Sequence, residues 1–512
     1  MKPTIILSFR PAILLAGMCL AAGMAPAASN HENNLEKTFQ VTPGARLVLD
    51  ADGGSCDLKL VDGDSVQVRV FREVKGGNQA QADQLFTNHV VTFQQEGNTV
   101  SIVAKNKARL SWSWRFNQPH LEVHFQVSIP KKCDVDLKTA GGDLHLGEVD
   151  GAVKALTSSG GIVLKRAAGA VDAADSGGDI IIENAEAALT AHTSSGSIRV
   201  QKAQGDVEAA NSGGDIVIDD AGRAVAARTS SGTIRLKWIK GDVHASDSGG
   251  DIMAERVGGS VDAATSSGSI NLGQIQGSVQ ARNSGGDIGV ESASGSVVAR
   301  TSSGAIRIKA VQGAVQAKNS GGDVSIDHAG SAVDAQTSSG AIKIGTAQGS
   351  VEAKDSGGDV TINEALGAVR AQTSSGAIHL KLAKGKVEAR DSGGSIQVSE
   401  ARAAVQASTS SGDITVGWVT QPSEDCRLEV SGGSINLSLP PSAALTLDAR
   451  SSGGKVQSEL PVTMEGGVRS GVLQGKINGG GPSLVLRSSS GDIEIKSAKT
   501  TLPAAEAEEV PR

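Results

Sequence analysis

Seven aspartates, Asp143, Asp179, Asp215, Asp251, Asp287, Asp323 and Asp359, stand 36 residues apart, each directly after a glycine. Glycine–aspartate turns at a short fixed spacing are the chemistry of calcium β-rolls. Calcium takes six to eight oxygens. Here the matching slot of the intervening repeat holds residues such as Ser197, Thr233 and Ala305, leaving one carboxylate per turn. Equivalent aspartates would lie ~9.6 Å apart, two ladder steps. The expected role is backbone hydrogen bonding in Asx-type turns, with no metal site.

The second group that could do chemistry is aromatic. Trp112, Trp114 and Phe116 alternate along one stretch, bracketed by Ser111, Ser113 and Arg115. Alternation puts the three rings on one face of a strand, where they would stack on a sugar or a partner, or cover the end of the fold as part of a cap. Trp238 and Trp418 stand alone in outward or turn-adjacent slots, and an isolated surface aromatic needs no functional account.

Catalysis needs a clustered acid and base, or paired carboxylates at a set separation. The carboxylates here recur with the repeat, and His145, His192, His244, His328 and His379 fall in different repeats and slots. No Ser-His-Asp or metal-ligand spacing is visible, no cofactor motif is present, and an enzyme is not expected. A net charge of −7 offers no basic surface for nucleic acid. Cys56 and Cys133 sit at inward-parity positions of two strand-like runs and could meet in a disulfide, leaving Cys426 over. The alternative is that all three are small buried apolar residues.

The elements that carry these residues form a repeat. Thr-Ser-Ser-Gly begins at Thr157, Thr193, Thr229, Thr265, Thr301, Thr337, Thr373 and Thr409, and Ser-Gly-Gly turns fall midway. The structural period is therefore 18, in two alternating versions. In the coil Thr301–Lys318, Ile306 and Ile308 alternate with polar residues, as do Val315 and Ala317. Such alternation reads as short half-buried strands. Stacked every ~4.8 Å, they give an all-β fold, a parallel β-helix or β-solenoid. The sixteen coils that start from Thr139 to Thr409 would make a rod of about 75–80 Å. Glycine recurs at the fourth position from Gly142 to Gly412, which predicts a repeated turn with positive φ. No proline lies between Pro130 and Pro422, in keeping with uninterrupted ladders. The ninth position alternates acid (Glu291, Asp327) with base or neutral (Lys237, Lys309), so stacked neighbours would attract modestly.

Around the solenoid the composition changes. Residues 1–27 read as a signal peptide: Lys2 and Arg10, an apolar run, then Ala25-Pro26-Ala27 for cleavage. Export to the periplasm, the exterior or the cell surface follows. No later stretch has the ~20 apolar residues of a membrane helix. Residues 28–138 hold every remaining Phe and read as a small β-rich N-terminal cap, with a helix over 78–88. The regular solenoid spans 139–426, irregular coils 427–496, and a disordered polar tail 497–512.

Three stretches carry a family resemblance. They are Ala45–Leu49 leading to Asp52-Gly53-Gly54, Val123–Pro130 leading to Thr139–Leu144, and the long Ser-Gly-Asp-Ile series. On these, the chain resembles the DUF4097 family of secreted bacterial β-strand-repeat proteins over roughly 45–496. The resemblance implies an adhesin-like role and brings no catalytic residues with it. The expected function is a secreted, non-enzymatic solenoid that is adhesin-like or scaffolds the cell envelope. The alternatives are a module binding envelope or extracellular polysaccharide, and a glycan-active enzyme on a β-helix.

Overall fold

The computed structural model describes residues 30–107, 119–464 and 469–498. The expected signal peptide, the aromatic triplet Trp112, Trp114 and Phe116, and the tail from 499 onward lie outside the described residues.

Each regular coil contributes two strands. A six-residue strand covers coil positions six to eleven, as in Ile306–Val311, and a four-residue strand covers fifteen to eighteen, as in Val315–Lys318. The longer strands pair in parallel in one sheet (sheet A) and the shorter ones in another (sheet B). Register equals the sequence period: Ile306 faces Val324, Ile308 faces Ile326, Val315 faces Val333 and Ala317 faces Ala335. These residues are fully buried between the sheets. At roughly 1.5–3 kcal/mol for each buried Ile or Val, stability accumulates coil by coil through nearest-neighbour layers. The fold is thus a parallel β-solenoid.

A further inward column runs at position eleven, through Val311, Ala329 and Ala347. Ladder pairing passes over position nine. That residue changes the strand's parity, so positions eight and eleven both point inward.

The fourth-position glycines have a different cause from the one expected. Of that series only Gly142 has φ in the left-handed region, at 114°. The others are needed because the turns stack: a Cβ on Gly304 would overlap the carbonyl of Gly286, one coil before, and the same holds along the column.

The ends of the rod are built out of sequence order. At the N-terminal end, the coil formed by Arg46–Ala51 and Ser55–Leu60 lies between two others. One is Thr99–Asn106 with His120–Ile129, and the other is Asp134–Thr139 with Leu144–Val149. Antiparallel strands extend the outer edges: Ser65–Lys75 lies against His120–Ile129, and His89–Glu96 against Thr99–Asn106. The helix α1 (Gln79–Asn88) starts at a capping box. The Asn78 side chain accepts from Gln81 N–H, and the Gln81 side chain accepts from Asn78 N–H, each at 3.0 Å. Arg72 is buried beside it and donates to the carbonyls of Asn33, Phe86 and His89, fastening helix to strands.

The C-terminal end mirrors this. The coil Ser483–Ser488 with Ile493–Ser497 sits between Cys426–Val430 with Ile435–Leu439 and Leu445–Ser451 with Val456–Ser458.

Candidate functional site

Two turn columns fix the outer surface. At position one, threonine donates its hydroxyl to a glycine carbonyl of the preceding coil, as Thr301 does to Gly286 at 3.0 Å and Thr409 to Gly394 at 2.8 Å. In the alternate coils Asn211, Asn283 and Asn319 donate through Nδ2 to the equivalent carbonyls at 2.6–2.7 Å. Position one, not position five, makes the Asx-type turn: Asp175 Oδ1 accepts from the N–H groups of Ser176 and Gly177.

The seven repeated aspartates act between coils, which corrects the expectation of local turns. Each accepts, through Oδ1, the backbone N–H eighteen residues on. Examples are Asp215 from Thr233, Asp287 from Ala305 and Asp359 from Ala377, at 2.7–2.8 Å. Aspartates in every coil would stack like charges at ladder spacing, which repels. Alternating them with small residues gives a physical reason for two coil versions. The ninth-position pairing expected from the sequence closes at Lys309–Glu291 (2.7 Å) and Lys237–Asp219 (2.6 Å).

Asp287 shows what such a clamp does. The Ala305 N–H, and then the Arg307 guanidinium at 2.8 Å, hold its carboxyl below the ordinary carboxylate range. A folded-state value below the unfolded one adds stability above the unfolded value, and that stability is lost as pH falls through the folded one. Asp287→Ala is therefore expected to lower stability at neutral pH. The loss should stay under about 1 kcal/mol because the group is half exposed. Melting curves of both proteins taken down to strong acid should converge; a gap that widens in acid would contradict the clamp.

The outer face of sheet B carries a long groove. Small residues at position fourteen, such as Ala188, Ala224 and Ser260, leave a depression beside the position-sixteen row. The result is a groove of about 880 Å³ reaching from Ala188 to Val298. A further stretch of about 560 Å³ shares Ala188 and Thr190 and continues to Arg46. Acidic groups predominate along it, including Asp206, Glu208, Asp242 and Asp262. His244 lies 3.5 Å from Asp262, which Arg282 also approaches at 3.1 Å.

One constellation was invisible in the sequence. Ser55 Oγ is 2.8 Å from His124 Nδ1, His124 Nε2 is 3.3 Å from Asp57, and His145 Nδ1 is 3.2 Å from the other Asp57 oxygen. Ser55 and Asp57 share one face of a strand, and the histidines come from its two neighbours. The order is Ser–Nδ1 and Asp–Nε2, on an open sheet face with the His124, Asp57 and His145 side chains more than a third exposed. This hydrogen-bonded row ties three strands together. Among the described residues, no group of three or more His, Cys, Asp or Glu has the geometry to hold a metal ion.

The remaining sequence candidates separate. Cys56, Cys133 and Cys426 are free thiols buried in the core, which is the second of the two arrangements the sequence left open, without a Cys56–Cys133 bond. Cys56 belongs to a sheet A strand, while Cys133 precedes a sheet B strand. Burial pushes the Cys56 thiol up to about 12 and Cys133 to about 11, so both are inert at neutral pH. Trp418 is not outward. It pairs with Ala401 through a one-residue register shift, is 1% exposed, and donates Nε1–H to the Ala403 carbonyl at 3.0 Å. Trp238 does face outward.

No curated protein matches the chain. Among solved structures, it is similar to a candidate adhesin from Bacteroides fragilis at 15% identity and TM-score 0.22, covering 56% of this chain and 97% of that one. A candidate lipid-binding protein from Parabacteroides distasonis matches at 15% identity and TM-score 0.24, covering 56% and 96%. A candidate cell adhesion protein from Clostridium sporogenes matches at 10% and 0.16, covering 56% and 100%. A family model described as Toastrack DUF4097 matches residues 47–273, 225–381, 318–417 and 384–496. Between them these matches span both tucked ends and every regular coil, and the chain belongs to the Toastrack DUF4097 family.

Proposed function

We propose that this chain is an exported, non-enzymatic solenoid that serves the cell envelope as an adhesin-like or scaffolding rod. The observation that carries the reading is the constant register of both sheets, which repeats the same outward slots at each ladder step from Leu144 to the shift after Val398. Such a surface suits many weak, similar contacts whose avidity grows with the number engaged. The groove on sheet B is their natural seat, because it crosses several coils without a dominant pocket. Among the described residues no helix is long and apolar enough to cross a membrane.

Localisation tests the reading. With an antibody to the solenoid, protease shaving of intact cells and fractionation are expected to find the chain outside the cytoplasm. Surface exposure supports adhesion, and a protected periplasmic pool supports scaffolding. A cytoplasmic pool would end both.

A further inference from the structure

Trp238 is 52% exposed, and it has company that its isolation in the sequence did not suggest. It stands in a row at coil position ten, with Asp220 one coil before, Arg256 one coil after and Gln274 beyond. A second row, at position twelve, holds Lys240, Gly258 and Gln276. Between the rows lies a depression of about 590 Å³. Gly258 has no side chain to fill it, so the ring of Trp238 and the ends of Lys240 and Gln276 border open space.

Three features give this depression a chemical preference. The Arg256 guanidinium sits over the Trp238 ring, 4.1 Å from its centroid. That contact holds the ring in one orientation while leaving about half of the residue open to solvent. Arg256 also donates to Gln274 at 3.3 Å. Neither Arg256 nor Lys240 forms an ion pair among the described residues, in a chain of net charge −7 where many other cations are paired with carboxylates. With Arg256 over one face, the exposed remainder of the indole offers a platform to the C–H face of a sugar ring. Amides and a carboxylate (Gln274, Gln276, Asp220) offer both donors and acceptors to hydroxyls. Two unpaired cations add a preference for negative charge.

We propose that the Trp238 depression binds an acidic polysaccharide, with a sugar ring on Trp238 and its carboxylate toward Arg256 and Lys240. The site is separate from the sheet B groove and goes beyond the scaffolding reading, since it does not depend on where the chain resides.

Affinity electrophoresis of the full chain through gels containing polygalacturonate, dextran or dextran sulfate tests the proposal. Polygalacturonate is expected to retard the protein and dextran is not. Trp238→Ala should weaken retardation on the order of tenfold, and Arg256→Gln should weaken it as well. Both side chains lie at the surface, so melting temperatures should hold and exclude misfolding as the cause. Trp238→Phe, which keeps an aromatic face, should restore part of the binding. Absence of retardation would overturn the proposal. So would retardation unchanged by Trp238→Ala, or equal retardation by dextran sulfate that ignores both substitutions; the latter would mark a general polyanion effect.

Discussion

Gly304→Ala is expected to destabilise the rod by about 3–5 kcal/mol, the upper end for overpacking, because the substitution forces backbone to move. The added Cβ would overlap the carbonyl carbon and oxygen of Gly286 and approach Asp287 N. These atoms belong to a neighbouring coil whose position is set by ladder bonds on either side, so no side chain can swing away. Gly321→Ala is the matched control. It lies in the next coil's turn, where a Cβ would come no nearer than 3.3 Å to the Ser302 carbonyl, and it should change little. Because long repeat arrays need not unfold in one step, hydrogen exchange around 286–304 should be read beside urea melts. Equal stability of the two variants would sink the stacking account of the fourth-position glycines.

Asp247→Asn combined with Asp391→Asn is expected to work in the opposite direction and raise stability. Both aspartates are buried at position one, and both have an Oδ2 with no partner. Their Oδ1 atoms already accept from the following N–H groups, as in Ser248 and Ser392 at 2.6 Å. Asn211, Asn283 and Asn319 show what the second atom can do at this slot, donating to the glycine carbonyl fifteen residues earlier. A carboxylate oxygen has no hydrogen to give to Gly232 or Gly376. Supplying one should be worth about 1–2 kcal/mol at each site, the usual size of relieving a buried unsatisfied group. Asp355→Asn should gain less, because Asp355 Oδ2 already accepts from Gly358 N–H at 2.6 Å. A double variant that melts below the parent would refute the argument.

How far the structure could be read from the sequence depends on whether a feature repeats. The columns at Ile306, Ile308, Val315 and Ala317 were legible because period two within a strand and period 18 between strands agree. The column at Val311 was not, since position nine reverses parity inside the strand. Trp418 was assigned to the surface by counting eighteens, and the one-residue shift after Val398 carries it into the core. The aspartates announced a turn role, but a sequence does not distinguish an N–H in the same turn from one in the next coil. The Ser55–His124–Asp57–His145 row was out of reach for another reason. Its members lie 69 and 88 residues apart, and they meet only because an early coil is inserted between later ones. Trp238 looked solitary along the chain, and its neighbours sit one ladder step away in coils that the eye reads 18 residues later.

That insertion at both ends has a mechanical consequence. In a simple stack the last coil is bonded on one side only, and a pull on the chain end can peel it away one ladder bond at a time. Here the first coil at one end, Arg46–Leu60, and the last at the other, Ser483–Ser497, each lie with a neighbour above and below. Load entering through either of these segments acts on two ladder interfaces together. Neither of these coils can be peeled away without opening two ladders at once, so each is held more firmly than a coil bonded on one side only.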